Sequence, residues 1–300
     1  MNKVYVLPPR ENWIVDRFVE EWNEDNADIS VSDPNQADVI WLLADWAWDQ
    51  LPPNLLFNRK VLITAHHFVP SKFNQAQRNN FVLRDALATA YHVPNHFTQE
   101  FVAGLTNKPI HLIPYWANQK IWKPTGSKAD LRKKHNIPTD AYVVGSFQRD
   151  TEGSDLVSPK LEKGPDLLAD FIERTVLETD HNVHVLLAGW RRQYIINRLE
   201  RAGIPYTFIQ QPRQEVVNEL YQCLDLYPVT ARFEGGPQSL VECGLLDIPA
   251  VSRDIGIASL VLPKSAIADD VFNAVPAVPR VESFRLPGGY EPYRKLIQSL

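Results

Sequence analysis

The chain has 300 residues, 44% of them hydrophobic, and a formal net charge of −5. That length suits about two domains, and the apolar content supports packed cores and excludes a largely disordered chain. The acidic balance leaves no electrostatic footprint for nucleic acid, and no apolar run reaches the roughly eighteen residues of a membrane-spanning helix. The N-terminal run Met1-Asn2-Lys3-Val4-Tyr5-Val6-Leu7 reads as a short strand that meets Pro8-Pro9, not as a signal peptide. The expected location is therefore cytoplasmic, with any membrane contact peripheral and at the inner face. Further strands are expected over 39–43, 61–65, 88–93 and 110–113. After a break, more follow over 142–147, 183–188, 206–209, 224–229 and 250–252. Helical patterns lie between most of them. Leu167, Leu168, Phe171, Ile172 and Val176 form one apolar stripe behind Pro165 at a helix start. Ile195, Ile196 and Leu199 form a weaker one. Alternating strands and helices imply parallel α/β layers.

The segment from Tyr115 to Ser127 has no sustained period and ends in turn residues, so the boundary falls there. The expected division is an N-terminal domain over 1–118 and a C-terminal domain over 119–285. The last segment, 286–300, reads as a turn and a short helix that packs back on the first domain. Cys223 and Cys243, the two cysteines, sit in apolar runs and read as buried thiols, because a reducing compartment rarely supports a lone structural disulfide.

The most informative stretch is Arg232-Phe233-Glu234-Gly235-Gly236-Pro237-Gln238-Ser239-Leu240-Val241-Glu242. A strand-like run precedes it and a helix-like run follows. Strand, glycine turn and helix bring backbone N–H groups to a phosphate. The carboxylates of Glu234 and Glu242 suit a polyhydroxylated ligand beside that phosphate. The strand over 142–147 runs into Gln148-Arg149-Asp150, and a polar loop leads on to Lys163-Gly164-Pro165. In a doubly wound sheet these cations share the carboxyl edge with Glu234, which makes an anion site.

On these residues the chain resembles the family 4 nucleotide-sugar-dependent glycosyltransferases, whose fold is GT-B: two Rossmann-like doubly wound domains facing a cleft. The family's Glu-x7-Glu signature matches Glu234 and Glu242. Its strand-loop-Lys-Gly element resembles 143–149 followed by Lys163-Gly164, and its interdomain strand and linker resemble Ile113-Pro114-Tyr115-Trp116-Ala117-Asn118. The likeness runs from about residue 60 to 262 and is strongest over 140–256. It implies a retaining, metal-independent, hexosyltransferase-like enzyme. Such an enzyme moves a sugar from a UDP- or GDP-sugar to a saccharide or lipid-linked acceptor, with no obligatory cofactor.

The resemblance assigns roles. Leaving-group charge grows as the glycosidic bond breaks. Arg149 and Lys163 would neutralise it, while N–H groups from Gly235, Gly236, Gln238, Ser239 and Leu240 would cradle phosphate. Glu234 would accept from donor-sugar hydroxyls and Glu242 from the ribose. His66, or its neighbour His67, follows the strand over 61–65 and resembles the family histidine that touches the donor sugar. A metal reading of this pair lacks a third ligand at sensible spacing. Gln211 and Arg213 lie in the loop that contacts the base in the family. Trp41, Trp46 and Trp48 read first as core, with Trp46, Trp48 and Asp45 within reach of the cleft.

The sequence also departs from the pattern. The first domain is short, as if one or two αβ units were missing. Pro8-Pro9-Arg10-Glu11-Asn12 stands where the family has a glycine-rich loop, which puts acceptor binding there in doubt. The insert over 151–162 is long and reads as a lid or acceptor loop. Two other functions fit the same fold: a sugar-nucleotide epimerase, and a non-catalytic nucleotide-sugar-binding protein.

Overall fold

In the computed structural model, which describes residues 1–11 and 14–300, short β-branched runs form parallel strands and the amphipathic runs between them form helices. The chain divides into two units, Met1–Trp116 with Leu286–Leu300, and Ala117–Arg285.

Unit 1 contains β1 (Val4–Val6), α1 (Ile14–Asp25), β2 (Val39–Leu42), α2 (Pro53–Phe57), β3 (Lys60–Thr64), α3 (Gln75–Leu87), β4 (Ala90–Val93), α4 (His96–Ala103) and β5 (Ile110–Leu112). Its sheet has the order β1-β2-β3-β4-β5, and all pairs are parallel. On the far side of β1 a single parallel bridge joins Val4 to Ser30. The chain therefore leaves β1 in one direction and returns to β2 in the other. That one bridge stands where a full strand would flank β1. Strands β2 and β4 are buried at every position, as strands covered on both faces must be.

Unit 2 contains α5 (Lys128–Lys134), β6 (Tyr142–Ser146), α6 (Pro165–Glu178), β7 (Val183–Gly189), α7 (Gln193–Ala202), β8 (Tyr206–Gln210), α8 (Gln214–Gln222), β9 (Tyr227–Val229), α9 (Gln238–Leu245), β10 (Ala250–Ser252) and α10 (Ala258–Val261). Strands β6, β7 and β8 pair in parallel, as do β9 and β10. A parallel bridge between Val144 and Leu226 joins the two sets. The order is thus β8-β7-β6-β9-β10, and it reverses between β6 and β9.

Some expected bounds shift for physical reasons. The strand expected from 224 begins at Tyr227. Before it, Asp225 turns its carboxylate onto Arg132 at 2.5 Å, Lys128 at 2.9 Å and the Val143 N–H at 2.8 Å. On α6 the buried face is Leu168, Ala169, Phe171, Ile172 and Thr175. Val176 lies outside it and is exposed.

A last helix, α11 (Glu291–Ser299), belongs to unit 1. Tyr293 donates to the carbonyls of Ile113 at 3.3 Å and Pro114 at 3.1 Å, and its ring packs 5.4 Å from Trp41. Both cysteines are buried free thiols. Among the described residues no helix is long and apolar enough to cross a membrane.

Candidate functional site

In open α/β sheets, ligands bind outside the carboxyl ends of the strands where the order reverses. In unit 2 that point lies after β6 and β9. The chain leaves β9 through Thr230, whose hydroxyl donates to the Gly164 carbonyl at 2.8 Å. Gly164 has φ +62°, and a Cβ there would stand 2.0 Å from the Thr230 carbonyl oxygen. Only glycine permits this approach. It draws the Lys163-Gly164 turn against the end of β9. The N–H groups of Arg232 and Phe233 both donate to Glu162 O, at 2.8 and 3.2 Å. Arg232 grips Asp166, in the first turn of α6, through two bonds of 2.8 and 2.6 Å. Gln148, just past β6, donates to Lys163 O at 2.7 Å.

This lacing brings two of the sequence-identified residues together. Lys163 Nζ donates to Glu234 Oε1 at 2.6 Å, with the side chains 15% and 14% exposed. The pair is sheltered enough to keep its strength and open enough to meet a ligand. Gly235 and Gly236 follow, both buried. The Gly236 carbonyl accepts from the Ile257 N–H at 2.6 Å, and Gly256, at φ +54°, lies so close that a Cβ would sit 1.8 Å from Gly236 O. The glycine turn is thus clamped from behind. Helix α9 starts at Gln238 with no side-chain cap, so the positive end of its dipole is not offset by a capping side chain. Ser239 lies in its first turn. Leu240 departs from expectation: its side chain is core and its N–H donates to Pro237 O at 3.2 Å, which removes it from a phosphate cradle.

Glu242 is 7% exposed and accepts from the Tyr221 hydroxyl at 2.7 Å. Tyr221 lies among Phe147, Tyr227 and Trp122, with ring centroids 4.7, 5.4 and 5.7 Å away. Burial first, and the Glu242 charge second, push the Tyr221 hydroxyl well above its ordinary pKa, so it stays a donor.

Arg149 is held on the same edge by a separate network. Its Nε donates to Thr151 O at 2.8 Å and its guanidinium lies 5.3 Å from the centre of the Trp190 ring. Burial, then the like charge of Arg191, lower its proton affinity. The next residue, Asp150, belongs to a buried pair the sequence reading missed. Arg192 is fully buried and bonds Asp150 Oδ2 at 2.8 Å, Ser146 Oγ at 2.9 Å, Ala188 O at 2.9 Å and the Ser146 carbonyl. It ties the end of β6 to the end of β7 and to Asp150, the residue after Arg149. Arginines at 191 and 192 just after a strand were the available signal, but only one of them turns inward. The insert over 151–162 folds back as a hairpin, with Thr151 bridged to Pro159. Gln211 and Arg213 lie exposed after β8, and Gln211 adopts φ +44° while its N–H bonds Gly189 O at 2.9 Å.

In unit 1 the corresponding reversal lies after β1 and β2. His66, past β3, bonds Leu43 O through Nε2 at 2.7 Å and pairs through Nδ1 with the Tyr115 hydroxyl. Nε2 must then carry the proton, since a carbonyl only accepts. Burial pulls the His66 pKa down, against the opposing pull of Asp45. Asp45 is itself paired with Arg84 at 2.9 Å. Trp41 is core and donates to Thr64 at 2.9 Å, Trp46 is half-exposed and donates to Glu11 at 2.8 Å, and Trp48 packs at the core margin. In the loop after β1, the N–H groups of Arg10 and Glu11 both donate to the Asp16 carboxylate at 2.8 Å. Asn12 lies outside the described residues. Among the described residues no cluster of three or more His, Cys, Asp or Glu could hold a metal.

No protein-family model matches the chain, and no curated protein matches it significantly. Solved structures do. Anabaena HepE in complex with UDP and glucose is similar over 88% of this chain and 84% of its own, with a TM-score of 0.71 and 15% identity. Sucrose-phosphate synthase of Thermosynechococcus elongatus is similar over 97% of this chain and 75% of its own, with a TM-score of 0.62 and 19% identity. The lipopolysaccharide outer core galactosyltransferase WaaB, in its apo form, matches over 95% and 79%, with a TM-score of 0.59 and 13% identity. At such identities the likeness is one of fold. The chain has the GT-B type of architecture, with α/β units built on parallel, Rossmann-like sheets.

Proposed function

We propose that the chain is a retaining glycosyltransferase that moves a hexosyl unit from a UDP- or GDP-sugar to an acceptor hydroxyl, without a required metal. The observation that carries this reading is the Lys163–Glu234 pair, 2.6 Å apart at the switch point of unit 2. A diphosphate and a sugar need one cation and one acceptor side by side, and this pair supplies both. When the donor binds, Lys163 exchanges Glu234 for phosphate oxygens. Glu234 then accepts from the sugar hydroxyls, which fixes the ring as the anomeric bond breaks. The leaving diphosphate gains charge in the transition state. Lys163, Arg149 and the uncapped start of α9, with Gly235, Gly236, Gln238 and Ser239, stabilise that charge without reorganising. Glu242 serves the ribose and Gln211 and Arg213 the base.

In this reading unit 2 binds the nucleotide sugar and unit 1 serves the acceptor, a saccharide or a lipid-linked one. His66 accepts a hydroxyl at Nδ1 already, from Tyr115, which is the bond a sugar hydroxyl would make. The fold likeness to proteins solved with UDP-glucose, and to a named galactosyltransferase, supports the donor class.

The test has two stages. Thermal-shift measurements with UDP, GDP and their hexose conjugates should give a rise in Tm for one nucleotide series. With that donor, Glu234→Ala should cut transfer by about 10²–10³-fold at unchanged Tm, and NMR of the product should report the donor's anomeric configuration. Undiminished transfer by Glu234→Ala sinks the assignment. An isomerised sugar from donor alone would instead mark an epimerase. Binding with neither transfer nor hydrolysis would mark a non-catalytic nucleotide-sugar binder.

A further inference from the structure

The amino-terminal edge of the unit 1 sheet carries a cleft of about 920 Å³, on the opposite edge from His66 and Asp45. Its wall includes Asn2, Asn35, Gln36, Phe57, Asn58 and Arg59. All lie in unit 1. The volume falls within the roughly 300–1,000 Å³ range of small-molecule sites, so its lining decides what it suits.

The charged groups of this wall are largely spent on backbone. Arg59 donates to the carbonyls of Asn58 at 3.1 Å and Asn35 at 3.0 Å. Asp38 accepts the Lys3 N–H at 2.8 Å. These bonds brace the wall, and they leave Lys60 as the one charged side chain of the lining with no bond to it among the described residues. One lysine is a poor cage for an anion. The amides behave differently. Asn2 donates its side-chain N–H to Ile297 O at 3.0 Å, Asn35 to Asp33 at 2.9 Å and Asn58 to Asn54 O at 2.7 Å. Each amide is oriented by that bond. Among the described residues, the three side-chain carbonyl oxygens accept no hydrogen bond from the protein. Three tethered acceptors in one lining suit a ligand rich in neutral donors. Beside them stands Phe57, at the end of α2, 67% exposed. An aromatic face set among amides is an apolar platform in a polar rim, which suits the C–H face of a sugar ring.

We infer that this cleft is a second saccharide-binding site, for a neutral oligosaccharide, separate from the candidate active site. It holds a sugar chain by stacking on Phe57 and by hydroxyl donation to the amide oxygens. The inference does not depend on the donor assignment, because none of its residues belongs to the unit 2 site.

Saturation-transfer NMR and calorimetry on the full chain, with maltohexaose, cellohexaose and laminarihexaose as probes, test it. At least one should bind, and Phe57→Ala should weaken that binding about tenfold, with Gln36→Ala weakening it less. Both residues are exposed, so both variants should keep the parent Tm. Nucleotide thermal shifts, run in parallel, should be identical in parent and variants. If none of the three saccharides binds, or if both variants bind as the parent does, the site is refuted. Absence of a nucleotide shift would count against the donor reading alone.

Discussion

Two strand-turn-helix connections, each beside the point where its unit's strand order reverses, are wired in opposite ways. In unit 1 the turn after β1 gives the N–H groups of Arg10 and Glu11 to the carboxylate of Asp16, in the first turn of α1. In unit 2 the turn after β9 runs through two glycines into α9, and no side chain caps the helix. The charge nearby, on Glu234, is held off by Lys163. The same contrast extends to what surrounds each turn. Unit 1 sets His66 and His92 at its sheet edge, both neutral and both wired from a hydroxyl to a backbone carbonyl. Unit 2 sets paired ions there. A turn whose N–H groups are taken by the protein's own carboxylate is stabilised and has fewer donors left for a ligand. An uncapped helix start keeps its dipole available and leaves the fold to be secured elsewhere.

The largest effect should come from what secures unit 2. Arg192→Met leaves Asp150 buried without its counter-ion, and should cost about 3–5 kcal/mol, read as an earlier denaturation midpoint. It should also displace Arg149 and weaken nucleotide binding. A midpoint within error of the parent would mean that the buried pair does not hold this edge.

Acid should attack unit 1 first. Burial lowers the His92 pKa to about 3, and lowers that of His66 as well. A histidine depressed in the fold gives stability above its unfolded pKa near 6.5, which is lost as the pH falls toward the folded value. Between pH 7 and 5 His92 alone should account for about 2 kcal/mol of lost stability. Urea titrations at the two pH values measure it, and replacing His92 with glutamine should flatten the dependence. An equal slope in that variant would refute the assignment.

The turns themselves should respond least and in opposite senses. Ser239→Asp puts a carboxylate in the first turn of α9. It should weaken UDP binding about tenfold without lowering Tm, since an acid there suits the dipole. Asp16→Ala should lower stability by about 1–2 kcal/mol, the usual worth of hydrogen bonds to a carboxylate, and leave UDP binding as it was. If both variants bind UDP as the parent does, the contrast between the turns has no functional meaning.

Much of this was legible in the residues. Strand-helix alternation gave the α/β class, and Pro165 behind Gly164 marked the start of α6. The glycine turn between Glu234 and Glu242 marked the connection that leads from β9 into α9. Lys163 and Glu234 were expected on one edge, and they meet. Other features were not legible, because they depend on which neighbour a group finds. Arg192 looked like one of two surface arginines until the ends of β6 and β7 closed over it. Leu240 was expected to present its amide, but the tight turn at Pro237 takes it. The bonds of His66 to the Leu43 carbonyl and the Tyr115 hydroxyl, which fix its tautomer, were likewise not visible in the sequence.

The sequence by itself determined the periodicities, the turns and the kinds of charge, because these follow from local sterics and from how apolar residues repeat along the chain. Only the tertiary structure decided which charges are spent and which are kept. A carboxylate or an amide hydrogen-bonds whatever the fold brings within about 3 Å, and Asp16 and Glu234, chemically alike, end in different surroundings because one meets the N–H groups of a turn and the other a lysine.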